Sequence, residues 1–146
     1  MIIPPTGPGD ANVVSMHHET PFKIGLAETD AFGVVYHPHA LDLAQQNLES
    51  WLEHLGLPLH TIFDDYQWAL PVVRVELDWN RPLQLGDQGL TILTGIDQGE
   101  RSLTLTHSIQ TGGDSVATVK VVHACLDRRS GKSILLPDVL LKQLPV

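Results

Sequence analysis

The sequence predicts an α+β domain in which an antiparallel sheet wraps around one long central helix. One observation is an apolar stripe at three- and four-residue spacing from Pro38 to Leu55; another is that, beyond residue 68, the pattern changes to period-two or continuously apolar runs. One helix followed by a run of strands segregates the two kinds of element instead of alternating them, which is the mark of α+β packing. The chain has 146 residues and 42% apolar content, enough for one domain with a real core, and shows no internal repeat.

Each element has its own signal. Residues 1–18 contain Pro4, Pro5, Gly7, Pro8 and Gly9 but no basic segment leading into a sustained apolar one. They read as a flexible tail ahead of a single domain over 19–146. Pro21 to Glu28 alternates in part and reads as a first strand, followed by a loop from Thr29 to His37. In the helix, Leu41, Ala44, Leu48, Trp51, Leu52 and Leu55 form the apolar face, with Asp42, Gln45, Gln46, Glu49 and Glu53 between them. Pro38 suits a first helical turn and Gly56 a stop. Leu57 to Tyr66 adds a short helix or loop; Trp68 to Trp79, Leu90 to Ile96, Ser102 to Thr111 and Ser115 to Asp127 read as strands. Arg129 to Lys132 is a turn, and Asp138 to Leu144 a terminal helical turn.

Composition excludes several functions. The formal charge is -8 and only nine Lys and Arg are spread along the chain, which argues against a nucleic-acid surface. Cys125 is the only cysteine, so no intramolecular disulfide forms and the expected setting is the reducing cytoplasm; its place in Val121 to Leu126 marks a packed strand residue. No segment approaches the ~20 apolar residues of a membrane span. His17, His18, His37, His39, His54 and His60 lack the spacing of a metal site, and no cofactor or metal is expected. Gly131-Lys132-Ser133 ends like a phosphate-binding loop, but Leu126 stands where that motif needs glycine.

The densest chemical signal is Asp30-Ala31-Phe32-Gly33-Val34-Val35-Tyr36-His37, with Pro38 opening the helix. It places a carboxylate on a tight loop ahead of a helix N-terminus, where unpaired N–H groups gather. Asp30 can attack a carbonyl or deprotonate water, and amides around Tyr36 and His37 can stabilise an oxyanion. Gly33 lets the backbone turn closely past a ligand. The plainer alternative is that Asp30 caps a turn that Gly33 makes.

The segment from Glu28 to His37 resembles the signature of the hot-dog thioesterases of the 4-hydroxybenzoyl-CoA type. Glu49-Ser50-Trp51-Leu52, Ala69-Leu70-Pro71-Val72-Val73 and Pro82 to Asp87 resemble the branch that hydrolyses 1,4-dihydroxy-2-naphthoyl-CoA in phylloquinone and menaquinone synthesis, the similarity running from about Pro21 to Pro137. The resemblance implies a hot-dog fold, hydrolysis of an aromatic acyl-CoA with Asp30 at the reacting carbon, and polarisation of the carbonyl by the backbone amide of His37. It also implies dimers with composite sites, often paired into tetramers. Where many relatives carry Glu on the long helix this chain has Gln45, which concentrates the carboxylate chemistry on Asp30. Leu48, Trp68 and Val72 are expected to line the acyl pocket, and Arg128, Arg129 and Lys132 to meet the CoA phosphates. The alternatives are another acyl-CoA substrate such as 4-hydroxybenzoyl-CoA, a non-catalytic acyl-CoA or acyl-carrier binding module, and a hydratase.

Overall fold

The computed structural model describes residues 17–145. The expected tail therefore lies outside the described residues except for His17 and His18, and His18 already opens the first strand, β1 (His18–Lys23). Alternation stops there. Ile24 is buried, and Gly25 donates its N–H to Glu28 Oε1 at 2.9 Å, so Leu26–Glu28 closes a 3₁₀ turn where the sequence suggested continuing strand.

The long helix is α1 (Pro38–His54), with proline in its first turn. Gly56 follows in the left-handed region at φ 79°, as a helix stop requires. A short helix, α2 (Leu59–Asp65), comes next. The run from Trp68 to Trp79 then proves to be two strands, β2 (Trp68–Ala69) and β3 (Val72–Trp79). Pro71 separates them because it has no N–H to offer a ladder. β4 (Gln88–Gln98) and β5 (Ser102–Thr111) follow the expected runs, whereas Ser115 to Asp127 divides into β6 (Asp114–Ala124) and β7 (Leu126–Asp127). The chain closes with α3 (Asp138–Leu141).

The main sheet is antiparallel with order β1-β4-β5-β6-β3, and β2 pairs with β7 in a small second sheet. Helix α1 packs across β1, β4, β5 and β6, giving the hot-dog arrangement of a sheet around a helix. Its apolar face joins two core clusters. The N-terminal half, through Ala40, Leu43 and Ala44, packs with Ile24, Val35, Leu83 and Val119; the C-terminal half, through Leu48, Trp51 and Leu52, packs with Trp68, Leu93, Leu105 and Leu140. Each such fully buried Leu stabilises the fold by roughly 1.5–3 kcal/mol. One close approach requires glycine: a Cβ at Gly89 would lie 1.8 Å from the Gln110 carbonyl oxygen on the neighbouring strand.

β3 forms an edge of the main sheet and is exposed along most of its length, with Val73 61% and Val72 48% accessible. Among the described residues no helix is long and apolar enough to cross a membrane.

Candidate active site

The loop between the 3₁₀ turn and α1 is held by its own backbone. Asp30 N–H donates to the Val34 carbonyl at 2.8 Å, and Gly33 N–H donates to the Asp30 carbonyl at 3.1 Å. Val35 N–H donates to the Leu83 carbonyl at 2.8 Å, tying the loop to the core. Gly33 closes the turn at φ 77°, a conformation open to glycine and strained for other residues. Asp30 Oδ1 accepts from Phe32 N–H at 2.8 Å and, more weakly, from Val34 N–H at 3.4 Å. The plain turn-capping role is therefore present, and it engages one oxygen. Oδ2 makes no hydrogen bond among the described residues, and the side chain is exposed, so the carboxylate keeps an oxygen for chemistry while the turn aims it.

Of the two amides expected to face an oxyanion, only one is available. Tyr36 N–H already donates to the Glu28 carbonyl at 3.0 Å, so its assignment as a carbonyl-polarising donor is corrected. His37 caps the helix with its backbone, and its N–H has no acceptor among the described residues. This orphan donor lies at the positive end of a 17-residue helix. Phe32, 90% exposed, and the half-exposed Tyr36 leave uncovered aromatic surface on the same loop.

Leu48, Trp68 and Val72, far apart in sequence, meet around one open cavity of about 370 Å³. Leu52, Leu59, Ile62 and Leu70 add to its apolar wall and Gln45 also lines it, its Nε2 donating to Glu49 Oε2 at 3.2 Å. The cavity also contains a residue that sequence reasoning missed. His123 on β6 is 2% exposed, and its Nδ1 lies 2.9 Å from the Leu70 carbonyl. Burial holds its ring below the ordinary imidazole range. The only signal in the sequence was a histidine at an alternating position of an apolar strand.

Asp30 does not line this cavity. Leu48 lies ten residues along α1 from Pro38, roughly 15 Å of helix. Asp30 is also absent from the adjoining cavity that shares Gln45, Leu48, Val72 and His123 and reaches Leu41.

The cationic group divides as well. Arg128 Nη1 donates to the carbonyls of Phe63 at 2.7 Å and Tyr66 at 2.9 Å, and the guanidinium lies 4.3 Å above the Phe63 ring. Arg128 thus closes the C-terminus of α2 through Nη1, a structural role that Arg129 and Lys132 do not share. Arg129 and Lys132 project from an exposed turn in which Ser130 N–H donates to Asp127 Oδ2 at 2.8 Å; hydrogen bonds from Ser130 hold the Asp127 carboxyl below the usual carboxylate range.

Known proteins share this architecture. A family described as the thioesterase-like superfamily matches residues 24–144. The 1,4-dihydroxy-2-naphthoyl-CoA hydrolase of Microcystis aeruginosa is 34% identical over 117 residues, covering 80% of this chain and 85% of that protein. The hydrolase of the same name from Synechococcus elongatus is 30% identical over 118 residues, covering 80% of this chain and 87% of its own length. The crystal structure of a 1,4-dihydroxy-2-naphthoyl-CoA thioesterase from Synechocystis superposes with a TM-score of 0.80 at 27% identity, over 86% of this chain and 93% of that one.

Proposed function

Because the chain belongs to the thioesterase-like superfamily, we propose that it hydrolyses an aromatic acyl-CoA, with 1,4-dihydroxy-2-naphthoyl-CoA as its substrate, within the quinone biosynthesis that consumes the free acid. The observation that carries the reaction is the pairing of the unengaged oxygen of Asp30 with the orphan amide of His37 on one loop. The relatives that bear this substrate's name support the acyl group, as does a cavity walled mainly by Leu, Ile and Val.

In this reading the thioester oxygen accepts a hydrogen bond from His37 N–H, which stabilises the negative charge that develops as the carbonyl becomes tetrahedral. Asp30 either attacks the carbonyl carbon, expelling CoA thiolate and leaving an anhydride that water opens, or removes a proton from the attacking water. Both routes yield one acid and one thiol per water consumed. Arg129 and Lys132 offer exposed cations to the CoA phosphates.

The working unit in this reading is a homodimer. A dihydroxynaphthoyl carbonyl is bonded directly to its ring, whereas a chain's own Asp30 lines neither of the cavities beside Leu48. A second chain resolves this by bringing its Asp30 loop to the first chain's cavity. The uncovered β3 edge, with Val72, Val73 and Val75 exposed, suits strand pairing with a second copy. Lone Cys125, buried and unpaired, suits the reducing cytoplasm.

The test is thiol release from dihydroxynaphthoyl-, benzoyl- and palmitoyl-CoA, compared by kcat/KM. The dihydroxynaphthoyl ester is expected to be best. Palmitoyl-CoA as the best substrate would overturn the aromatic assignment, and no release from any of them would overturn hydrolysis.

A further inference from the structure

Two residues in the wall of the acyl cavity carry buried nitrogens that find no hydrogen-bond partner among the described residues: Nε2 of His123 and Nε1 of Trp68. Both side chains are more than nine-tenths buried. Of the other residues around them, Leu48, Leu52, Ile62, Leu70 and Val72 are apolar, while Gln45 donates to Glu49 and His107 meets Asn47, and neither is within hydrogen-bond distance of the two nitrogens. Buried polar atoms are ordinarily paired, so two of them at one apolar cavity are a signature of a ligand's polar group.

The chemistry of that group follows from the ring's tautomer. His123 Nδ1 lies 2.9 Å from the Leu70 carbonyl, which can only accept, so Nδ1 carries the proton. Burial disfavours a second proton on the ring. Nε2 is then a bare lone pair, an acceptor, while the indole Nε1–H of Trp68 can only donate. One donor and one acceptor at an apolar cavity complement a hydroxyl, which gives one hydrogen and offers lone pairs. A carboxylate or carbonyl would leave His123 unsatisfied, and an ammonium would leave Trp68 unsatisfied.

We propose that His123 and Trp68 form a subsite that reads a ring hydroxyl on the acyl group, His123 Nε2 accepting its hydrogen and Trp68 Nε1 donating to its oxygen. The substrate class is thereby a hydroxyaryl-CoA, and the same ring without the hydroxyl is the discriminated analogue. This inference rests on the thioesterase reading and adds to it the residues that set selectivity.

The experiment measures kcat/KM for matched pairs: 1,4-dihydroxy-2-naphthoyl-CoA against 2-naphthoyl-CoA, and the hydroxybenzoyl-CoA isomers against benzoyl-CoA. Wild type is expected to favour a hydroxylated member by about ten- to a hundredfold, because the deoxy ring leaves both nitrogens unpaired. His123→Asn keeps a donor for the Leu70 carbonyl and removes the acceptor at Nε2, so the ratio falls toward one; His123→Gln, with an amide reaching the Nε2 position, restores part of it. Trp68→Phe lowers the ratio independently. The readout is the ratio, which general loosening of the fold does not move. A wild-type ratio near one with active hydrolysis overturns the subsite and spares the thioesterase. A ratio unchanged in His123→Asn or, should that variant not fold, in Trp68→Phe also overturns it. No hydrolysis of any ester sinks the thioesterase reading instead.

Discussion

Asn47, midway along α1, and His107, in β5, meet side chain to side chain at 3.0 Å inside the core. With its amide oxygen toward the ring, Asn47 accepts from His107 Nδ1 and from Leu93 N–H at 3.1 Å, while its nitrogen donates to Thr20 Oγ1 at 2.7 Å and the Thr91 carbonyl at 3.2 Å. One amide thus ties the helix to three strands with its hydrogen-bonding capacity filled.

This junction makes stability depend on pH. Burial, helped by the nearby His123 ring, lowers His107 to about 4 from an ordinary 6.5. A depressed folded-state value stabilises the protein above pH 6.5, and that contribution, about 3 kcal/mol, is lost as pH falls from 6.5 toward 4, where the unfolded ring binds a proton and the folded one does not. Urea unfolding at pH 7.5 and 4.5 is expected to show this loss in wild type and a shallower dependence in His107→Gln. Equal slopes in the two proteins would refute it.

Asp30→Asn is expected to keep the fold, since an amide oxygen can still accept from Phe32 N–H, and to reduce kcat by about 10² to 10⁴. Thiol-release kinetics beside a thermal melt check both halves. Near-wild-type turnover would remove Asp30 from the chemistry.

The separation of Asp30 from its own cavity predicts complementation between chains. Asp30→Asn and Leu48→Trp, which fills the cavity, are each expected to be inactive alone. Unfolded and refolded together in equal amounts, they should regain about a quarter of wild-type activity, because half the dimers carry one intact site of two. Recovery of nothing, with dimers verified, would mean that one chain supplies both parts.

Gly89→Ala is expected to destabilise the fold by about 1–3 kcal/mol without altering substrate preference, since the new methyl meets the Gln110 backbone, which cannot rotate away. Chemical denaturation of the variant decides this.

Arg129→Ala with Lys132→Ala should raise KM for acyl-CoA and flatten its dependence on salt while leaving the melting temperature unchanged. Arg128→Ala should instead lower the melting temperature, because it releases the carbonyls at the end of α2. The opposite pattern would return Arg128 to the phosphate site.

Much of this architecture was legible from one sequence because it is written at short range. The stripe from Leu41 to Leu52 specifies α1 through its 3.6-residue period, Ser102–Thr111 matches β5 end to end, and the pattern from Asp30 to His37 marks the loop through turn chemistry confined to a few residues. Tertiary structure alone decided the rest. Trp68 to Trp79 looks like one strand until β2 finds β7 and β3 finds β6, and strand pairing depends on partners some fifty residues away. The engaged Tyr36 amide, the structural commitment of Arg128 and the meeting of Leu48, Trp68, Val72 and His123 arise the same way. Periodicity tells which face of an element is buried; only the packed chain determines what it is buried against, and a site is made of those encounters.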